Sequence, residues 1–245
     1  MDLVTKHAEL QKLRPLAPAA VRSLAAAWDV RMVYESNSIE GNTLTLRETE
    51  IVLSKGVTVS GKPLKDHLEA VNLSKAWDSA KALAQPGAVF TERTLLELHR
   101  IILAGVDDFF AGSFRTSAVR IAGASLVPPN SVKVPDLVAD LFASLATFSD
   151  PVERAARLHH GIAAIHPFSD GNGRSARLAM NFILLSAGYH PISIPPKLST
   201  QYYAALEAAD SGDFQTWLDF ISKRLDEELD LWLNALSEPT PNAPL

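Results

Sequence analysis

The chain of 245 residues has no cysteine. That removes disulfides, thiol nucleophiles and cysteine-ligated zinc together, and it suits a reducing compartment. No apolar run approaches the roughly 20 residues needed to cross a bilayer. The stretch from Met1 to Leu10 lacks the basic segment and long apolar core of a secretory leader. These absences predict a soluble, cytoplasmic protein with no membrane partner. Positive charge is also in deficit: the formal net charge is −5. A broad nucleic-acid surface needs an excess of Lys and Arg, so a nucleic-acid partner is not expected. There is no internal repeat, no low-complexity tract and no clear linker.

What is present is apolar content of 47%, enough for a sizeable core without staples. The length fits one large domain, or one domain with an appendage. Ala and Leu are abundant and β-branched runs are few, which predicts a mainly helical fold. One helix is expected after Pro18, carrying Val21, Leu24, Trp28 and Met32 and reaching to about Ser36. Thr45 and Glu48 form a capping box for the next. Further helices are expected over Lys65–Ala84, from Thr91, over Pro135–Phe148 and over Pro151–Ile165. The last begins near Asp213, with Phe214, Leu218, Ile221, Leu225, Leu229, Trp232 and Leu236 as a core stripe. The exception is Ser113–Pro129. Thr116-Ser117-Ala118-Val119 is β-prone and Ala122-Gly123-Ala124 reads as a turn, so a lone β-hairpin is expected to lean on the helices as a flap.

The densest chemistry lies in His166-Pro167-Phe168-Ser169-Asp170-Gly171-Asn172-Gly173-Arg174, with Arg177 following. Pro167 should push His166 into an extended conformation at the start of a loop. A neutral imidazole there can take a proton near pH 7. Phe168 is the expected apolar anchor. Asp170 is a hard oxygen ligand suited to Mg²⁺ on phosphates. Gly171 and Gly173 let backbone N–H groups approach an anion, and Asn172 can cap the next helix or bond a phosphate oxygen. The helix N-terminus adds a positive field. Arg174 and Arg177, three apart, should share one face and suit a polyphosphate. From Pro151 to Met180 there are four arginines against Glu153 and Asp170, so a basic pocket sits in an acidic protein. Each part alone is weak. Eight specified residues in order would arise by chance in roughly one window in 10¹⁰. The motif points to an enzyme acting on a phosphate compound.

This run resembles the Fic family, of the Fido fold, whose motif His-x-Phe-x-Asp/Glu-Gly-Asn-Gly/Lys-Arg-x-x-Arg is matched from His166 through Arg177. The resemblance extends from about residue 36 to about residue 225. It includes Gly112-Ser113-Phe114-Arg115-Thr116, similar to the entry of the family's target-binding flap, and Tyr202-Tyr203, similar to its nucleotide-base wall. It implies transfer of AMP from ATP to a Ser, Thr or Tyr hydroxyl of a target protein. His166 would be the base and Asp170 the Mg²⁺ ligand. Gly171, Asn172, Gly173, Arg174 and Arg177 would hold phosphates, and Tyr203 would flank the base. Thr116, Ser117, Ala118 and Val119 would form the target flap. Upstream, Ser36-x-x-x-Glu40-Gly41-Asn42 resembles the family's inhibitory signature, so Glu40 would pair with Arg177 and misplace the nucleotide. The implied organisation is an N-terminal helical region (1–90) with an inhibitory helix at about 20–42, a catalytic core (91–236) and a flexible tail (237–245).

The resemblance leaves other roles open. The same glutamate could orient water for AMP removal, making a de-AMPylase or bifunctional enzyme. A different class is a nucleotide-sensing interaction protein whose lock rarely opens. A homodimer is compatible with the family. Asp210 departs from the asparagine common near that point in relatives. Arg115 is expected as an ion partner at the flap base. His159, His160, His67 and His99 are expected to be packed or satisfied, since their spacing fits no zinc site. No winged-helix segment is found after the core, so DNA binding lacks support.

Overall fold

The computed structural model describes residues 3–12, 18–121 and 125–237, with the side chains of 18–21 outside that description. In chain order its helices are α1 (Leu3–Lys12), α2 (Pro18–Ile39), α3 (Leu46–Lys55), α4 (Leu64–Leu83) and α5 (Glu92–Leu103). They continue with α6 (Val134–Leu145), α7 (Pro151–Ile165), α8 (Asn172–Ser186), α9 (Ser199–Asp210) and α10 (Phe214–Ser237). Short 3₁₀ turns at Ser131–Lys133 and Pro196–Leu198 lead into α6 and α9. None of the described helices is long and apolar enough to cross a membrane.

Local chemistry sets most boundaries. Asp150 accepts from the N–H groups of Val152 and Glu153, and Pro151 takes the first helical position, so α7 starts where the sequence predicts. The Thr45–Glu48 box closes in both directions ahead of α3. Helices α1 and α9 are additions to the sequence reading; both are short, and α9 starts without a side-chain cap. The predicted stripe of α10 is core packing: Ile221, Leu225 and Leu229 are fully buried and Trp232 nearly so.

The centre of the fold is α8. Every residue from Arg174 to Leu184 is buried, so this helix is covered on all sides. Its largest contact is with α7, and α4, α5 and α2 pack around it. Helix α2 is fixed to its neighbours by polar anchors. Buried Glu228 of α10 accepts from Trp28 Nε1 (3.1 Å) and Arg31 Nη2 (2.7 Å). On the other side, Asp29 accepts from Trp77 Nε1 (2.5 Å) and Lys81 Nζ (2.6 Å) of α4.

The expected β-hairpin flap is not formed. Among the described residues there is no strand, and Thr116, Ser117, Ala118 and Val119 run as an irregular arm. The Ala122-Gly123-Ala124 turn lies outside the described residues. An isolated hairpin is marginal, and here side chains take carbonyls that a ladder would need. Arg115 Nη1 donates to Ser117 O (2.9 Å), its Nη2 to Pro129 O (2.6 Å), and Ser131 Oγ to Thr116 O (2.9 Å). The tail expected at 237–245 also lies outside the described residues, apart from Ser237, which ends α10.

Candidate functional site

The motif loop is held by its own packing and hydrogen bonds. Phe168 is fully buried, which stabilises by about 2–3 kcal/mol. Its ring stacks on His99 at 3.6 Å. His99 Nδ1 accepts from Gly112 N (3.0 Å), so Nε2 carries the proton and donates to Asp170 O (3.0 Å). Asn172 closes the loop from inside. Its Oδ1 accepts from Phe168 N (2.8 Å) and its Nδ2 donates to Phe168 O (2.9 Å). The N-cap of α8 is therefore not Asn172 but Gly171, at φ 77° with no side-chain cap. A Cβ at Gly171 would meet the His99 ring at 3.3 Å. The first N–H groups of α8 have no carbonyl one turn earlier and face the N-terminal field.

His166 is not extended as Pro167 predicts. It takes the left-handed conformation, φ 51° and ψ 59°, as the C-cap of α7. Arg115 explains the difference. This buried guanidinium donates to His166 O (2.8 Å) and reaches Ile165 O (3.4 Å), while its backbone N–H bonds Pro167 O (2.9 Å). Its side-chain hydrogen bonds go to carbonyls of the flap and of the loop, so a clamp between them stands where an ion pair is expected. His166 Nδ1 lies 3.3 Å from Ala163 O, which can only accept, so the neutral ring leaves Nε2 as a free acceptor. Burial pushes the His166 pKa down, Arg115 adds to this, and the Ala163 carbonyl, Glu40 and Asp170 oppose it. The ring is thus in its basic form at neutral pH.

The two arginines do not share a target. Arg174 turns towards α4: its Nη1 lies 3.1 Å from Glu69 Oε1, out of line for a hydrogen bond, and its Nη2 donates to Asp170 Oδ1 (3.1 Å). Its Nε has no acceptor. The shared face of an isolated helix fails because α8 is surrounded. Asp170 Oδ1 also accepts from Gly171 N (2.5 Å), while Oδ2 faces only Lys65 at 3.9 Å. Burial acts against ionisation of Asp170, but Arg174 and the Gly171 N–H outweigh it and hold its pKa below the usual carboxylate range. Among the described residues no group of three or more His, Asp or Glu forms a metal cage. One half-exposed carboxylate with an uncommitted oxygen fits Mg²⁺, which binds phosphates through one or two carboxylates.

Arg177 turns the other way, towards the end of α2. Its Nε donates to Ser36 Oγ (2.8 Å), and Nη2 donates to Ser36 O (2.9 Å) and Glu40 Oε1 (2.7 Å). Its Nη1 lies 3.5 Å from Tyr202 Oη, which in turn meets His159 Nε2 at 3.1 Å. Glu40 is placed by a Schellman ending of α2: Gly41 (φ 88°) donates to Ser38 O and Asn42 N to Asn37 O, each at 3.1 Å. Asn42 Nδ2 then bonds Glu69 Oε2 (3.0 Å), tying this end of α2 to the acid that faces Arg174.

These groups meet at a cavity of about 380 Å³, within the range of small-ligand sites. Glu40, His166, Asn172, Gly173, Arg177 and Tyr203 all line it. Asp170, Gly171, Arg174 and Ser36 stand outside the lining, and of the flap it is Ile121 and Leu126 that reach it, not Thr116–Val119. Sequence reasoning missed Glu207, its neighbour in this lining. It also missed that Asp210 pairs with His160 (2.8 Å) across 50 residues. No local pattern signals such a pair.

A family model described as Fic/DOC matches residues 89–184. The chain is 32% identical over 214 residues to protein adenylyltransferase fic-1 of Caenorhabditis elegans, covering 86% of this chain and 42% of that protein. It is 37% identical to protein adenylyltransferase Fic of Aedes aegypti, covering 88% and 44%. The chain therefore spans less than half the length of these curated relatives. A Fic domain containing signaling protein from Bacteroides thetaiotaomicron has a similar structure, with TM-score 0.89, 28% identity and full coverage of both chains. Fic-1 (aa134–508) from C. elegans matches with TM-score 0.83 and 28% identity over 95% of this chain and 69% of that one. With motif, cavity and comparisons in agreement, this chain belongs to the Fic/DOC family.

Proposed function

We propose that this chain is a protein adenylyltransferase that moves AMP from ATP to a hydroxyl of a target protein and is held inactive by Glu40. The observation that carries this reading is the position of His166 Nε2, an uncommitted base lining the same cavity as Arg177 and the open N-terminus of α8. The phosphates would lie on the first N–H groups of α8 and on Arg177, with the nucleobase along Tyr203. The target oxygen bonds to the α-phosphorus and its proton passes to His166. The bond from that phosphorus to the bridging oxygen breaks, and pyrophosphate leaves. Such transfer is mainly positioning and charge stabilisation. Asp170 would hold Mg²⁺ through its free oxygen; when bound, the ion supplies positive charge against the phosphates. Arg174 supports this role from behind by fixing Asp170.

Glu40 supplies the lock. Its carboxylate occupies the guanidinium that a phosphate needs, and a buried pair is costly to break from one side. The N-terminal region would thus regulate the core within one chain. The target strand would add to the flap arm at Thr116–Val119, recognised mainly through backbone. A cytoplasmic setting is part of this proposal, supported by the cysteine-free sequence and the need for ATP. The similarity to adenylyltransferases of flies, mosquitoes and nematodes supports the chemistry.

A second reading, removal of AMP, is favoured by one observation: the Glu40 carboxylate lines the cavity beside His166 and could orient a water. Labelling with α-phosphate-labelled ATP and Mg²⁺ separates the two. Label on protein that needs both loss of Glu40 and presence of His166 supports transfer under a lock. No label in Glu40→Gly, with ATP bound, sinks the transfer reading and makes pre-modified protein the substrate to test.

A further inference from the structure

Tyr202 and Tyr203 are neighbours on α9 with different surroundings. Tyr203 is 46% exposed and lines the cavity, whereas Tyr202 is 2% exposed. The Tyr202 ring packs against Trp217 and Phe220 of α10, with centroids 5.8 and 6.2 Å away. Its hydroxyl stands between His159 of α7 and Arg177 of α8, 3.1 Å from Nε2 of the first and 3.5 Å from Nη1 of the second.

The order of protons along this chain follows from what each group can do. A guanidinium only donates, so the Tyr202 oxygen accepts from Arg177 and its own proton goes to His159 Nε2. Burial keeps both partners in the neutral forms this order needs. It pushes the Tyr202 pKa up to about 12, and it pushes the His159 pKa well down, with Arg177 and His160 adding to the second effect. His159 is fully buried, and its Nδ1 has no hydrogen-bond partner among the described residues. Buried polar atoms are usually matched, so a ring kept with one nitrogen unmatched points to the bond at its other nitrogen.

The other side-chain bonds of Arg177 among the described residues all go to the end of α2. Ser36 takes Nε and one hydrogen of Nη2, and Glu40 takes the other. Loss of Glu40 frees that second hydrogen, and Tyr202 is the partner that still holds Nη1 from a different helix. Resting on the nucleotide reading above, we propose that Tyr202, oriented by His159, keeps the Arg177 guanidinium turned to the phosphates once Glu40 has withdrawn. Both act through Arg177 and are positioning residues; neither touches the reacting atoms.

The test is the dissociation constant for ATP with Mg²⁺, measured in a double-mutant cycle. In the Glu40→Gly protein, Tyr202→Phe keeps the ring and removes the oxygen. It should weaken ATP binding about tenfold, the loss expected of one hydrogen bond to a charged group. In the Glu40→Gly protein that also carries Arg177→Gln, the same substitution should change ATP affinity by less than about twofold, because no guanidinium is left to hold. His159→Gln, whose amide oxygen can accept where Nε2 does, should keep most of the affinity, and His159→Leu should lose part of it. A cooperatively melting Tyr202→Phe protein that binds ATP as its parent does overturns the inference and leaves the nucleotide reading standing. So does an equal loss with and without Arg177, which would assign Tyr202 to packing or to direct contact with the ligand. If Tyr202→Phe does not fold, His159→Leu carries the test, and unchanged ATP affinity there overturns the inference. Failure of a cooperatively melting Glu40→Gly protein to bind ATP overturns the nucleotide reading itself, and the inference with it.

Discussion

Gly173 is the position where the lock and the motif touch, and Gly173→Ala should open the lock without disturbing the fold. A Cβ built there overlaps Glu40 Oε1 outright and stands 3.2 Å from its carboxyl carbon and 3.0 Å from Arg177 Nη1. The carboxylate must retreat by roughly 1 Å to reach ordinary contact distance. Its 2.7 Å bond to Arg177 then lengthens beyond hydrogen-bonding range. A charge-assisted bond contributes about 1.5–3 kcal/mol, so the locked state loses roughly 10- to 150-fold in population. Gly173 lies in the first turn of α8 with no positive φ, so alanine adds no backbone strain, and its better helix propensity, about 1 kcal/mol, offsets part of the lost bond in the melting temperature. The assay is the initial rate of label transfer from α-phosphate-labelled ATP in four proteins: wild type, Gly173→Ala, Glu40→Gly and the double variant. Gly173→Ala should be faster than wild type, and it should give no further gain once Glu40 is gone. The methyl also faces the phosphate site, so the double variant is the control. If it matches Glu40→Gly while Gly173→Ala stays as slow as wild type, the lock tolerates the methyl and the steric argument is wrong.

Three further outcomes follow from the same geometry. Arg115 depresses the His166 pKa behind the larger effect of burial, with Glu40 and Asp170 opposing. Arg115→Gln should therefore move the acidic limb of the pH–rate profile to higher pH in the Glu40→Gly protein, whereas Arg115→Lys, which keeps the charge, should leave it nearer its place. Burial takes the His99 pKa from 6.5 down to about 4. The unfolded chain then binds a proton that the folded chain refuses, so stability present above pH 6.5 is lost as pH falls towards 4, by about 3 kcal/mol. Denaturant titrations across that window should give a shallower pH dependence in His99→Gln. Asn172→Ala removes both bonds to the Phe168 backbone and should cost about 2 kcal/mol, read as a lower denaturation midpoint.

The parts legible in the sequence are those whose cause is local. Asp150-Pro151 starts α7 and the Thr45 box starts α3, because a cap and the N–H groups it satisfies are at most three residues apart. The motif from His166 to Arg174 is legible for the same reason: imidazole, carboxylate and glycines sit on one continuous stretch of chain. Local rules also produced the errors. Pro167 should extend His166, yet Arg115, 51 residues away, bonds the His166 carbonyl and the His166 backbone takes a left-handed cap. The β-prone arm at Thr116–Val119 has no strand beside it, since Arg115 and Ser131 hold the carbonyls at Thr116, Ser117 and Pro129.

Arg174 and Arg177 carry this furthest. Three residues apart, they share a face on any free helix. On α8, buried all round, that face is divided between two neighbours. Arg174 goes to Glu69 on α4, and Arg177 goes to Ser36 and Glu40 at the end of α2. The division separates their work: one arginine stiffens Asp170 from behind, and the other is the single guanidinium among the described residues lining the cavity. A regulator then has only one cation to occupy. On the proposed reading one carboxylate at the end of one anchored helix is enough to do so, and so small a feature as Ser36-x-x-x-Glu40 would govern the whole site.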